Sequence, residues 1–162
     1  MTVVKETTVD DIDNVQRLWA DGDVMQFVGF PNGLIKTDEE MRNWFTWIES
    51  NRPVLNHYSI FEDGKYCGES FYEIDEEQKS AALDIKLFGF ARGRGIATAG
   101  LSHAIKEAFR NGAEKVWVDP NPDNLKAIAL YKRLGFRQKP FPAHLLSEDG
   151  EQNSIYMELH KD

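Results

Sequence analysis

The run Phe90-Ala-Arg-Gly-Arg-Gly-Ile-Ala-Thr-Ala-Gly100 commits the middle of the chain to one arrangement: a strand ends, a glycine-rich turn follows, and a helix begins with no linker between them. Gly93 and Gly95 permit positive φ and close approach of a ligand. Successive backbone N–H groups can then converge on an anion where the helix contributes its positive end. Arg92 and Arg94 can add charge-assisted hydrogen bonds, so the turn reads as a phosphate cradle. A dinucleotide fingerprint, G-x-G-x-x-G, fails, because after Gly93 and Gly95 the next glycine is Gly100, two positions late. A P-loop fails as well: Gly95 to Ser102 has the frame, but Leu101 stands where a lysine would reach the β/γ-phosphates.

A second pattern lies downstream, Val116-Trp-Val-Asp-Pro-Asn-Pro-Asp-Asn124-Leu-Lys-Ala127-Ile-Ala-Leu-Tyr131-Lys-Arg-Leu-Gly135-Phe136. Asn124, Ala127, Tyr131 and Leu134 fall at three- and four-residue intervals, so they share one helix face, on which the small Ala127 leaves room beside a ligand. Gly135 supplies the left-handed residue that ends the helix. Together with Arg92-x-x-Gly95-x-Ala97, this segment resembles the Gcn5-related N-acetyltransferase (GNAT) superfamily, over about Tyr66 to Phe136. The first sixty residues match only in their order of elements. The stretch Asp119 to Ile128 is similar to aminoglycoside 6′-N-acetyltransferases, and ribosomal-protein acetyltransferases share the same resemblance.

The resemblance implies acetyl-CoA as co-substrate, with Arg92, Gly93, Arg94, Gly95, Ile96 and Ala97 at its pyrophosphate. It also implies two strands, Ala81–Phe88 and Lys115–Asp119, that splay apart so that a pantetheine arm bonds to main chain at Ile85 and Leu87. Asn124 becomes a ligand of that arm and Tyr131 the general acid for the departing sulfur. From the residues alone Tyr131 also reads as a core aromatic, and Asn124 as a helix cap, a role that can coexist with ligand contact. Acyl transfer needs a neutral amine and a stabilised thiolate, whose unperturbed pKa values are roughly 10.4 and 8.5, and backbone N–H groups at Leu87 or Phe88 can meet the developing oxyanion. The general base stays open among Asp84, Glu69, Glu73, Asp119 and a water chain. His57, at a strand start, reads as structural or exposed, and Cys67 as a small hydrophobe.

Chain length suits one domain over residues 1–162. The polar amino terminus and the lack of a long apolar window suggest a cytoplasmic chain rather than a secreted or membrane-bound one. A single Cys67 excludes an internal disulfide, and four scattered histidines give no metal-ligand spacing, so no metal is expected. The net charge of −8 argues against nucleic-acid and anionic-membrane partners and suits a cationic substrate, or merely aids solubility. The acceptor expected is a small cationic amine, aminoglycoside- or polyamine-like. A protein or peptide amino terminus, and a non-catalytic acetyl-CoA-binding module, are the alternatives. A homodimer is possible by resemblance, although no segment marks an interface.

Periodicity gives a strand at Val3–Thr7, a helix at Asp10–Trp19 and an apolar loop at Phe27–Leu34, with Phe27 and Phe30 as candidate substrate contacts. Thr37 and Glu40 form a capping box for a helix bearing Met41, Trp44, Phe45, Trp47 and Ile48. Tyr58–Phe61 and Tyr66–Ile74 flank Asp63-Gly64 as a hairpin. Then follow a strand at Ala81–Phe88, a helix at Ile96–Arg110, a strand at Lys115–Asp119, a helix at Asp123–Leu134, and closing strands at Phe136–Gln138 and Ser154–Leu159. The order implies an α+β, three-layer α/β/α sandwich. In the resembling superfamily this is the acyl-CoA N-acyltransferase fold, a mixed, mostly antiparallel, splayed sheet flanked by helices.

Overall fold

The computed structural model describes residues 1–146 and 153–162. Thr37 Oγ1 accepts from Glu40 N–H at 3.1 Å and Glu40 Oε1 accepts from Thr37 N–H at 3.0 Å. This reciprocal box starts helix α3 (Asp38–Asn51), which turns Met41, Phe45 and Ile48 inward. Trp47 departs from expectation: it sits well round the helix from that stripe and is 43% exposed. Ahead of α3 come strand β1 (Thr2–Glu6), helix α1 (Ile12–Trp19) and the short helix α2 (Gly22–Met25). A 3-10 turn at Gln26–Val28 then occupies the start of the segment expected to be loop throughout.

Strands β2 (Leu55–Glu62) and β3 (Lys65–Asp75) form the hairpin, with Asp63 at φ 51° and Gly64 at φ 82°, the two positive angles of a type I′ turn. Strand β4 (Ser80–Leu87) leads into helix α4 (Ile96–Arg110), followed by β5 (Lys115–Val118), α5 (Leu125–Arg133), β6 (Arg137–Lys139) and β7 (Tyr156–His160). The seven strands lie in the order β1-β2-β3-β4-β5-β7-β6. All neighbours are antiparallel except β4 and β5.

One face of the sheet is covered by α1, α2 and α3, whose Val15, Leu18, Val24, Met41 and Phe45 cluster with Tyr66 of β3. On the other face Leu101, Ala104 and Ala108 of α4 pack against Tyr58, Tyr72, Ala81, Leu83 and Val116, and Leu130 and Tyr131 of α5 join the same cluster. This is the expected three-layer sandwich. Leu101 is fully buried; truncating such a leucine to alanine costs about 2–5 kcal/mol, so α4 is fixed firmly beneath the turn that precedes it. Among the described residues no helix is long and apolar enough to cross a membrane.

Candidate active site

The parallel pairing of β4 with β5 is confined to Ser80–Ala82 against Lys115–Trp117. Beyond Ala82 the two strands part, and the β4 edge from Leu83 to Leu87 faces a gap. Phe88 N–H donates to Cys67 O at 2.9 Å. Because bonded pairs alternate along an antiparallel ladder, Lys86 and Asp84 are the next residues bonded to β3, and Ile85 and Leu87 aim their main-chain groups into the gap. Side-chain contacts there agree: Asp84 Oδ1 accepts from Ile85 N–H at 2.9 Å, and Leu87 O accepts from the Arg92 guanidinium at 3.1 Å. Phe88, by contrast, has already given its N–H to Cys67. Of the two oxyanion donors expected from sequence, only Leu87 remains available.

Downstream of the edge, Gly93 and Gly95 adopt φ 73° and 78°, and Gly95 is the N-cap of α4 without a side-chain acceptor. Among the described residues none accepts from the N–H groups of Gly93 through Thr98. A β-carbon built at either glycine meets nothing within 4 Å, so the space over these donors is open. A ring of uncompensated N–H groups at a helix start is a fit for phosphate oxygens. Ile96 is buried beneath the turn, Ala97 is half-buried, and Arg94 is exposed. Arg92 does not stand free: its guanidinium also donates to Asp23 Oδ2 at 2.9 Å and Asp23 O at 3.2 Å, latching α2 to the turn.

Across the gap, α5 starts at Asn124, whose Oδ1 accepts from Ala127 N–H at 3.2 Å, so the capping role is realised. Two helical turns beyond Asn124, Tyr131 is 6% exposed. Burial, and then the charges of Asp84 and Asp119, push its phenol well above the ordinary value, so it stays protonated. Asp119 follows β5. It keeps solvent contact, yet the protein packed round it and the charge of Asp84 raise its carboxyl above the ordinary value. A protonated phenol can give a proton, and a carboxylate can take one.

Glu69 has a different setting. It is 3% exposed, accepts from the Trp19 indole at 2.7 Å, and lies 3.1 Å from His57 Nε2 and 3.7 Å from Lys86 Nζ. The His57 contact is close enough for attraction but is not aligned as a hydrogen bond. Burial pushes the Glu69 carboxyl up, and the charges of His57 and Lys86 together with the bonds it accepts outweigh that and hold it at about 2. Lys86 also bonds Asp84. Burial lowers this ammonium, but Asp84 and Glu69 more than compensate and keep it charged.

The model of the acetyltransferase (GNAT) domain family matches residues 3–137. The chain belongs to this acetyltransferase family. It is 33% identical over 128 residues to a ribosomal-protein-alanine N-acetyltransferase of Escherichia coli, an alignment covering 75% of this chain and 85% of that one. It is 28% identical over 142 residues, 84% of its length, to an uncharacterised N-acetyltransferase of Methanocaldococcus jannaschii, of which it spans 61%. Among solved structures, spermidine N-acetyltransferase from Vibrio cholerae, in complex with CoA and spermine, superposes with TM-score 0.80 at 17% identity over 98% of this chain and 95% of that one.

The charges of Asp84 and Asp119 thus both reach the buried Tyr131, with Ile85 and Leu87 on the free edge of β4 and the glycine turn beyond its end. Glu69 lies behind the gap under α1, and Glu73 is exposed toward the far end of β3. Phe27 and Phe30, each 39% exposed, sit on the segment after α2, a helix that Asp23 ties to Arg92 of the turn. His57, expected to be structural or exposed, is buried and bonded to Thr7 at 2.6 Å. Lys86 was missed as a site residue. The signal that could have found Lys86 is its place two residues from Asp84, on the same strand face, in an otherwise apolar strand.

Proposed function

We propose that the chain is an acetyl-CoA-dependent N-acetyltransferase, built on residues 1–162 as one domain, that passes acetyl directly to a primary amine in a ternary complex. The observation that carries this reading is the unpaired β4 edge at Ile85–Leu87 running into the left-handed turn at Gly93 and Gly95, with Tyr131 across the gap. The Ile85 carbonyl, which stays open while Asp84 holds the Ile85 N–H and Arg92 the Leu87 carbonyl, suits an amide of a pantetheine arm, beside Asn124. The N–H groups from Gly93 to Thr98 suit a pyrophosphate, with Arg94 free to add its charge and Arg92 able to do so by exchanging Asp23 for phosphate. A lone Cys67 and dependence on acetyl-CoA fit a cytoplasmic protein.

Acetyl-CoA supplies an activated acyl carbonyl, and the chain supplies the rest. Leu87 N–H meets the charge that develops on the carbonyl oxygen. Tyr131, held protonated, gives its proton to the departing sulfur. Asp119, with its raised carboxyl, receives the proton from the attacking amine. Glu69 is unsuited to that role, because a carboxyl held at about 2 and surrounded by partners takes up no proton near neutral pH.

The acceptor this site suits best is the α-amino group of a peptide. Asp84 is engaged by Lys86 and Glu69 by three partners, so the strongest negative charges near the gap are already spoken for. An acceptor that deprotonates easily needs less from the remaining carboxyl. At about pH 7.5 an α-amine of pKa roughly 7.8 is neutral roughly 300 times more often than an alkylamine of pKa roughly 10.4. The exposed Phe27 and Phe30 offer apolar contact to the first side chains of such a peptide. A small cationic amine is the second reading, favoured by the net charge of −8 and by the approach of Asp84 and Asp119 at one gap. Thiol release from acetyl-CoA separates the two: peptides with a free α-amine should give the highest kcat/KM, and Nα-blocked lysine peptides the lowest. Spermidine or an aminoglycoside turning over ten times better than any peptide would reverse the assignment.

A further inference from the structure

Burying an ammonium and a carboxylate carries a large desolvation penalty, and replacing such a cluster with apolar side chains of similar volume is often neutral or stabilising. Stability alone therefore gives no reason for Glu69, Lys86 and His57 to lie together under α1 and α3. Their connections do. Glu69 Oε1 accepts from the indole of Trp19, the last residue of α1. The Trp19 carbonyl accepts from Leu34 N–H at 2.7 Å, so the segment 20–33 that carries Phe27 and Phe30 leaves and returns at this one residue. From its other oxygen Glu69 faces Lys86 Nζ at 3.7 Å. Lys86 bonds Asp84 Oδ2, and Asp84 Oδ1 holds Ile85 N–H at the gap. His57, braced by Thr7, stands against Glu69 Oε1 and limits how far the carboxylate can turn.

We propose that Glu69 is a positioning residue that sets the acceptor segment and the reaction gap against one another: through Trp19 it fixes the base of the segment, and through Lys86 it fixes the Asp84 carboxylate beside Tyr131 and Asp119. This inference rests on the reading of the gap as the place of acyl transfer. A shift of the acceptor seat by even one ångström from the thioester is enough to cost a large factor in rate. A junction made of charged, directional contacts holds such a distance better than an apolar one, which can slide.

The test uses the full chain and the variants Glu69→Gln, Glu69→Leu, Lys86→Met and the double variant Glu69→Gln with Lys86→Met. Gln keeps an oxygen for the Trp19 indole and removes the charge facing Lys86; Leu removes both. Glu69→Gln should lower kcat about 10-fold with acceptor KM within about twofold, and Glu69→Leu should in addition raise acceptor KM about 10-fold. Acetyl-CoA affinity should stay within about twofold in every variant, because the glycine turn is untouched. The double variant leaves no unpaired charge from this couple, so a merely structural role predicts that its kcat recovers, whereas positioning predicts that it stays slow. Two NMR readouts need no acceptor. The Trp19 indole proton should keep its exchange protection in Glu69→Gln and lose it in Glu69→Leu, and the Asp84 carboxyl signal should move in both Glu69→Gln and Lys86→Met. Unmoved signals, or a double variant with restored kcat, would overturn the proposal. Wild-type protein that binds acetyl-CoA and releases no thiol, with both signals responding as stated, would support the contacts and overturn the transferase reading instead.

Discussion

Gly95→Ala tests the cradle with a built-in control, because the chain has a second glycine of the same kind far from the gap. Gly95 (φ 78°) and Gly112 (φ 115°) are both left-handed, and a β-carbon at either meets no atom within 4 Å. Neither substitution creates a clash, so each should cost only the strain of a β-carbon in that region, about 1–2 kcal/mol. For a chain of this size that lowers Tm by about 2–8 °C in both variants. Ligand binding should separate them. At Gly95 the strain is relieved by rotating the turn, which moves at least one N–H off the pyrophosphate. Losing one hydrogen bond to a charged group is worth about 1.5–3 kcal/mol, or about 10- to 150-fold in Kd. Gly112→Ala, at the far end of α4, should leave Kd unchanged. Scanning calorimetry gives the two Tm values and isothermal titration gives acetyl-CoA affinity. Equal Tm losses with equal, wild-type Kd values would refute the cradle, and Gly95→Val binding as tightly as wild type would refute it more strongly.

Two further perturbations probe the chemistry. Tyr131→Phe should lower kcat about 10²- to 10⁴-fold while acetyl-CoA Kd stays within about twofold, as for loss of a general acid; a module that only binds acetyl-CoA would show no loss of function on this change. Asp119 has a carboxyl raised by the fold, so the folded protein bears the penalty of its charge above the folded value and is free of it below the ordinary 3.8. Asp119→Asn should therefore raise Tm at neutral pH, by an amount that vanishes as the pH falls below that value, while lowering kcat/KM; a Tm difference that persists in acid would contradict the assigned direction.

What could be read from the sequence was whatever local chemistry decides. The Thr37–Glu40 box, the Asp63-Gly64 turn, the left-handed Gly93, Gly95 and Gly135, and the Asn124 cap each depend on residues a few positions apart, and each is found where expected. The glycine turn proposed as a phosphate cradle was legible for the same reason: it is one contiguous turn. The proposed base was not, because its neighbours are brought together only by the sheet. Asp84 lies on β4 and Asp119 just after β5, strands that start side by side and then part, and the charges of both act on Tyr131. The register that sets Glu69 opposite Lys86, and the fold that delivers Trp19 from fifty residues away, give it partners that no list of carboxylates shows. Arg92 shows the same limit from the other side. Its place at the turn was plain in the sequence, but its partner Asp23 lies 69 residues upstream, so the contact that joins α2 to the glycine turn existed only once the chain had folded.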